Sequence, residues 1–293
     1  MTTPTLSASA AGSVSLGGEL TVNRLGYGAM RITGDGIWGP PKDRAAAVAA
    51  LRKAVELEVN FIDTADSYGP NVSEELIAEA LYPYPEGLAI ATKGGWVRPA
   101  AYQWTHNASP KHLRQAVEGS LKRLRLDRID VYQLHCPDPA TSFDKSVGAL
   151  AELRAEGKIR LVGLSNVTKE HIERARKIVP IVSVQNRYSF ADREWDYVVE
   201  YCEQNGIAFI PWAPLASGRA AGETLARIAN AHHASPMQVA LAWVLQRSPI
   251  VLAIPGTSSP QHVEENVGAA TVKLSPAEMA ELGAVLLPGV GVR

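Results

Sequence analysis

The chain has 293 residues, 46% of them hydrophobic, enough to bury a substantial core and to exclude a disordered chain. Lys and Arg number 29 against 30 Asp and Glu, a formal net charge of -1 that gives no reason to expect nucleic acid or an anionic membrane as main partner. Two cysteines, Cys136 and Cys202, form neither a disulfide framework nor a four-ligand zinc site, so a reducing, cytoplasmic setting without a bound metal is expected.

The first residues, small and polar, lack the cationic cluster and apolar run of a secretory signal and are expected to be flexible over 1–12. Every apolar run elsewhere is shorter than the roughly 20 residues of a bilayer span. Ser13–Leu16 and Glu19–Asn23, around Gly17-Gly18, suggest a short hairpin. From there, short β-branched runs alternate with stretches of helical period. Strands are predicted at Leu25–Ala29, Asn60–Thr64, Leu88–Lys93, Ile129–His135, Leu161–Ser165, Ile181–Gln185, Ala208–Trp212 and Val251–Pro255. Helices are predicted near Arg44–Glu58, Ser73–Leu81, Pro110–Leu124, Phe143–Glu156, Lys169–Ile178, Arg193–Asn205, Pro236–Arg247 and Pro260–Ala269, with an extra one near Pro276–Leu286. Ser109-Pro110, Ser235-Pro236 and Ser275-Pro276 each offer an N-cap hydroxyl followed by proline at the first helical position.

Eight strands, each followed by a helix, predict an α/β chain: a single (β/α)8 TIM barrel domain over 1–293, with the N-terminal hairpin and a C-terminal helix added. An open, doubly wound sheet is the alternative. In a barrel the chemistry gathers where the strands end, since the following loops share one rim. Those ends read Asp63, Lys93, His135, Ser165-Asn166, Gln185, Trp212 and Gly256-Thr257. Each alone has a structural explanation: a cap, a snorkelling lysine, a packing histidine. Together at one rim they point to a site.

The string Asn60-Phe-Ile-Asp63-Thr-Ala-Asp66-Ser-Tyr68-Gly69 resembles the aldo-keto reductase superfamily. Asp63, Tyr68, Lys93 in Ala91-Thr-Lys93-Gly94, and His135 in Asp130-Val-Tyr-Gln-Leu-His135 match that family's catalytic tetrad in order and spacing. Gly163-Leu-Ser165-Asn166, Val184-Gln185-Asn186, Pro211-Trp212-Ala213-Pro214-Leu215 and Ile254-Pro-Gly256-Thr257-Ser258 extend the match over nearly the whole chain. The resemblance implies an NADPH-dependent reductase of aldehydes and ketones, with NADH a weaker alternative cofactor and a small carbonyl compound as substrate.

The chemistry stands beside the name. A carbonyl reductase needs a hydride donor and an acid for the forming alkoxide. A free phenol, with a pKa of about 10, is a sluggish acid, and a neighbouring ammonium is expected to pull it down. Asp63 would keep Lys93 charged in a buried place. A neutral His135 would donate to the substrate oxygen.

By resemblance, Ser165, Asn166 and Gln185 are placed to hold the nicotinamide carboxamide and Trp212 to stack on its ring. Gly28 and Met30 would contact the cofactor; Ala213, Leu215, Ser217, Gly218, Arg219, Gly256, Thr257, Ser258 and His262 would lie toward the pyrophosphate and 2′-phosphate, and Glu265 and Asn266 toward the adenine. The helix beginning near Pro260 would point its positive end at those anions. Where many members hold the 2′-phosphate with a lysine and an arginine, this chain has Gly256 and His262. Trp38 and Trp96 are the candidate substrate-pocket aromatics, ahead of Tyr102–Trp104. Gly26–Met30 with Gly39-Pro40-Pro41 is similar to bacterial members near the pyridoxal reductases, which suggests an aromatic aldehyde. The same strings resemble the cofactor-binding β subunits of potassium channels, so a regulatory subunit is the alternative function.

Overall fold

A two-stranded hairpin closes one end of the molecule: β1 (Ser13–Leu16) pairs antiparallel with β2 (Leu20–Asn23). In this computed structural model, which describes residues 6–215 and 222–284, part of the stretch expected to be flexible is ordered. Ala8–Ala11 form a 3₁₀ turn capped by Ser7, with Ala8 buried and its N–H donating to Leu57 O at 2.8 Å. That apolar anchor, followed directly by the hairpin, is why these residues are held.

Seven parallel strands follow among the described residues: β3 (Tyr27–Gly28), β4 (Phe61–Asp63), β5 (Ala89–Gly94), β8 (Ile129–Leu134), β9 (Ile159–Ser165), β10 (Ile181–Gln185) and β11 (Ala208–Phe209). A small antiparallel pair, β6 (Trp96–Val97) and β7 (Thr105–His106), stands outside the sheet beyond β5. Residues 250–255 complete the circle. Phe209 N donates to Ile250 O at 3.0 Å and Phe209 O accepts from Leu252 N at 2.9 Å on one side, and Gly26 N donates to Ala253 O at 2.8 Å on the other. An open sheet would leave β3 and β11 as unpaired edges. These bonds join them, and the fold is a (β/α)8 barrel.

Helices α1 (Arg44–Glu56), α2 (Val72–Leu81), α3 (Pro110–Leu124), α4 (Phe143–Ala155), α5 (Lys169–Ala175), α6 (Asp196–Gln204), α7 (Gly222–Ala231), α8 (Pro236–Gln246), α9 (Pro260–Gly268) and α10 (Pro276–Ala284) surround the sheet. In α1 the Asp43 side chain caps Ala46 N, and Ala47, Ala50, Leu51 and Ala54 bury one helical face. Ser109, Ser235 and Ser275 cap their helices as the Ser-Pro pairs predict. Two features have no counterpart in the sequence reading. One is α7, which buries Leu225, Ile228 and Ala229 and is preceded in the sequence by Ala221 rather than a Ser, Thr, Asp or Asn. The other is the β6–β7 pair, whose two-residue strands are too short to show a period.

The interior of the barrel is a cluster of Phe61, Ala89, Ala91, Val131, Leu161, Val182, Ala208, Ile210, Leu252 and Ile254, plugged by Val14, Leu16 and Val22 of the hairpin. Fully burying one such aliphatic side chain contributes about 1.5–3 kcal/mol. The hairpin thus seals one end with apolar groups and leaves polar chemistry for the other.

Candidate active site

Strand alternation decides which side chains enter the barrel. Phe61 faces inward, so Asp63 does too; Ala89 and Ala91 set Lys93, Val131 sets Gln133 and His135, Leu161 sets Ser165, and Ile210 sets Trp212. Strand β10 would miss this phase. Val182 belongs to the interior, and an irregularity of register between Ile181 and Ser183 re-aims the strand so that Gln185 also points in.

The converging groups form a closed network. Lys93, fully buried, donates from Nζ to Asp63 Oδ2 at 2.6 Å, to Thr64 O at 2.8 Å and to Tyr68 Oη at 3.5 Å. Asp63 Oδ1 accepts from Gln133 Nε2 at 3.0 Å and from Gln185 Nε2 at 2.9 Å. Tyr68 sits on the loop between β4 and α2, its ring edge-on to His135 with centroids 5.8 Å apart. Ser67 Oγ lies 3.4 Å from His135 Nδ1.

Burial tends to lower Lys93, but the charge of Asp63 and the contact with Tyr68 outweigh it and hold the ammonium above its usual value. Burial and the nearby Lys93 charge push His135 well below the usual imidazole value, so it is neutral. Tyr68 departs from the expectation. Burial raises the phenol, and the pull of Lys93 does not overcome it. The proton therefore stays on Tyr68 Oη through neutral pH.

Just behind Lys93, Glu74 is fully buried, receives Thr92 Oγ1 at 2.6 Å and pairs with Arg123 Nε at 2.6 Å. Asp66 adjoins this pair, with its Oδ1 buried and lacking a hydrogen-bond partner. Burial, with the Glu74 charge second, raises its carboxyl well above the ordinary range.

A cavity of about 600 Å³ opens over the network. It is lined by Asp63, Tyr68 and His135 and by nine residues expected to contact a cofactor: Gly28, Met30, Ser165, Asn166, Gln185, Trp212, Ala213, Leu215 and Gly256. Gly28 and Gly256 meet back to back. A Cβ at Gly28 would stand 2.6 Å from Ile254 O, and one at Gly256 would stand 2.5 Å from Gly28 O. This backbone floor and the partly buried Trp212 indole in the cavity lining suit a flat dinucleotide.

Two amides expected to hold the nicotinamide carboxamide also bond within the protein. Asn166 Oδ1 accepts from Trp212 Nε1 at 3.0 Å, and its Nδ2 donates to His135 O and Ser165 Oγ, so its amide orients the indole from within. The Gln185 amide likewise faces Asp63. Thr257 and His262 are side-chain neighbours at 3.4 Å outside the cavity lining, and Ser258 lines an adjacent cavity. Glu265 and Asn266 lie on α9 beyond the cavity; the Glu265 carbonyl receives Gln238 Nε2. Ser217, Gly218 and Arg219 fall outside the described residues. Trp96 lines the cavity, but Trp38 is 37% exposed and does not; Ile37 and Trp104 take its place. Gln133 escaped the sequence reading, although a glutamine two residues before His135, on the same strand face, was a legible signal.

The aldo/keto reductase family model matches residues 24–286, and the chain belongs to that family, a class of nicotinamide-dependent oxidoreductases. It is 52% identical over 277 residues to the uncharacterized oxidoreductase C215.11c of Schizosaccharomyces pombe, covering 94% of this chain and 90% of that protein. It is 44% identical to pyridoxine 4-dehydrogenase of Escherichia coli, over 92% and 96% of the two chains. Among solved structures, an aldo-keto reductase from Klebsiella pneumoniae in complex with NADPH superposes with a TM-score of 0.79 at 30% identity, over 92% of this chain and 93% of that one. Among the described residues no helix is long and apolar enough to cross a membrane, and no group of three metal-ligating side chains occurs.

Proposed function

We propose that this protein reduces an aromatic aldehyde to the alcohol with NADPH, Tyr68 acting as the acid. The observation that carries the reading is the buried chain Asp63–Lys93–Tyr68, with a neutral His135 beside the phenol at the cavity floor. NADPH, when bound, supplies the hydride that adds to the carbonyl carbon. As the C=O double bond becomes a single bond, its π pair moves to the oxygen, which takes the proton of Tyr68 Oη. Lys93 stabilises the phenolate left behind, and Asp63 balances Lys93. His135 is neutral and so carries one ring N–H, which donates to the carbonyl oxygen and orients it.

The aldehyde class rests on the pocket and on kinship. Trp96 and Trp104 stand edge-on to His135, each with ring centroids 6.4 Å away, a lining suited to a planar ring. The pyridoxine 4-dehydrogenase of E. coli, similar over nearly its whole length, makes pyridoxal the first substrate to assay. NADH is expected to serve less well.

Tyr68→Phe tests the acid. Turnover of NADPH with pyridoxal should fall by about 10²–10⁴, while NADPH binding followed by tryptophan fluorescence stays near wild type. Retained turnover would overturn the assignment.

A further inference from the structure

Arg98 follows β6 on the rim, and it is the odd residue of the substrate side. It is charged, yet only 6% exposed, and no carboxylate pairs with it among the described residues. Its partners are backbone carbonyls from three separate loops. Nη2 donates to Gly36 O at 2.7 Å, and Nη1 to Ile37 O at 2.8 Å and to Ser67 O at 3.4 Å. Nε donates to Gln103 O at 2.8 Å. A guanidinium alone among side chains offers donors in a rigid plane that can bind several carbonyls at once. Burying a cation is costly unless its donors are met, and here carbonyl oxygens meet them.

The loops so joined carry the walls of the cavity. Ile37 lines it. Ser67 precedes Tyr68 and contacts His135. The guanidinium carbon lies 3.8 Å from the centre of the Trp104 ring, and Trp104 packs edge-to-face on Trp96 with centroids 5.8 Å apart. Two of these loops, those carrying Gly36 and Gln103, interlock a second time. Gly36 has φ +67°, and the Tyr102 ring sits 2.8 Å from where a Cβ would be. A side chain there would be strained and would push the loops apart.

We propose that Arg98 is a specificity-determining positioning residue: it ties the three loops together so that Trp104 and Trp96 present a fixed wall to a planar aromatic carbonyl substrate. This rests on the carbonyl-reduction reading above and deepens it. A short aliphatic aldehyde needs only Tyr68 and His135 and does not reach the wall. A ring-bearing aldehyde gains its affinity from indoles already held in place, so the clamp acts on binding and leaves the chemical step alone.

The test compares wild type, Arg98→Met, Arg98→Lys and Trp104→Leu, each confirmed folded by its circular dichroism. Arg98→Met keeps the apolar stem and removes the fork; Trp104→Leu removes the wall and leaves the clamp. In Arg98→Met the KM for 4-nitrobenzaldehyde should rise about tenfold or more, while kcat/KM for propanal changes by less than about threefold. NADPH affinity should stay at the wild-type value. Arg98→Lys, which keeps the charge and loses the fork, should follow Arg98→Met, and Trp104→Leu should show the same loss of aromatic preference. Equal losses for both aldehydes, or unchanged selectivity, would overturn the proposal.

Binding of 4-nitrobenzyl alcohol with NADP+, read by tryptophan quenching, separates this inference from the reading beneath it. Wild type that oxidises NADPH with no carbonyl sinks the reductase reading. If binding of the aromatic alcohol is still weakened about tenfold in Arg98→Met, the clamp stands on its own. Unweakened binding refutes it.

Discussion

The side-chain amide of Gln185 donates to Asp63 Oδ1 at 2.9 Å, across 122 positions of sequence and from the opposite side of the barrel. With Gln133 Nε2 at 3.0 Å on the same oxygen, it leaves Oδ2 for Lys93 alone. The carboxylate thus has fixed partners on both oxygens, which fixes where Lys93 stands relative to Tyr68.

Replacing either glutamine by leucine should expose this. A buried hydrogen bond to a charged group is worth about 1.5–3 kcal/mol, so Gln185→Leu and Gln133→Leu should each destabilise by that order in urea unfolding. If Gln185 served the cofactor alone, Gln185→Leu would weaken NADPH binding and leave the urea midpoint where it was.

The phenol of Tyr68 is raised and the imidazole of His135 is lowered well below its usual value. Reduction uses the protonated phenol, and that form persists until the pH passes above the usual phenol value of 10.0. kcat/KM for aldehyde reduction should therefore be flat from about pH 6.5 to 9 and fall in stronger alkali. Alcohol oxidation needs the phenolate and should rise with pH. A descending limb for reduction centred near neutrality would contradict the assignment.

Asp66 binds its proton more tightly in the folded chain than in the unfolded one. The folded state then gains relative stability in acid, below the unfolded carboxyl value, and loses it as pH rises through the raised folded value. Asp66→Asn removes that loss. The melting temperature of the variant should exceed wild type by about 2–4 °C at pH 8 and converge with it at pH 4. A variant less stable than wild type at pH 8 would show that the carboxylate is needed.

Trp212 is held by Asn166, which itself sits at φ 56°. Asn166→Ala frees the indole and strains a left-handed residue, so NADPH affinity should weaken by about tenfold with little change in the aldehyde KM. Fluorescence titration with NADPH gives the first quantity and steady-state rates the second. Unaltered affinity would mean that the indole needs no anchor.

Much of this protein is legible in its sequence. The β/α alternation, the Ser-Pro helix starts and the polar strand ends are local signals, because strand period, capping and proline geometry act over a few residues. Asp63, Lys93 and His135 could be named from the chain for the same reason, since each closes a predicted strand, whereas Tyr68 is named only through the family resemblance of the string Asn60–Gly69. Helix α7, preceded in the sequence by Ala221 rather than a Ser, Thr, Asp or Asn, and the two-residue strands of the β6–β7 pair lie below what such local signals show.

What only the tertiary structure decided depends on residues distant in sequence and on burial. Strand alternation alone would have turned Gln185 the wrong way; the irregularity in β10 that re-aims it is a matter of pairing with β9. The turning of the Asn166 and Gln185 amides toward Trp212 and Asp63 follows from which groups the closed barrel brings opposite them. Whether Lys93 lowers Tyr68 or burial raises it is a contest between a Coulomb attraction and lost hydration, and residue identity does not carry the depth of burial. Arg98 shows the same limit. In the sequence it is one cation after Trp96-Val97; only when three loops fold over it do their carbonyls become its partners.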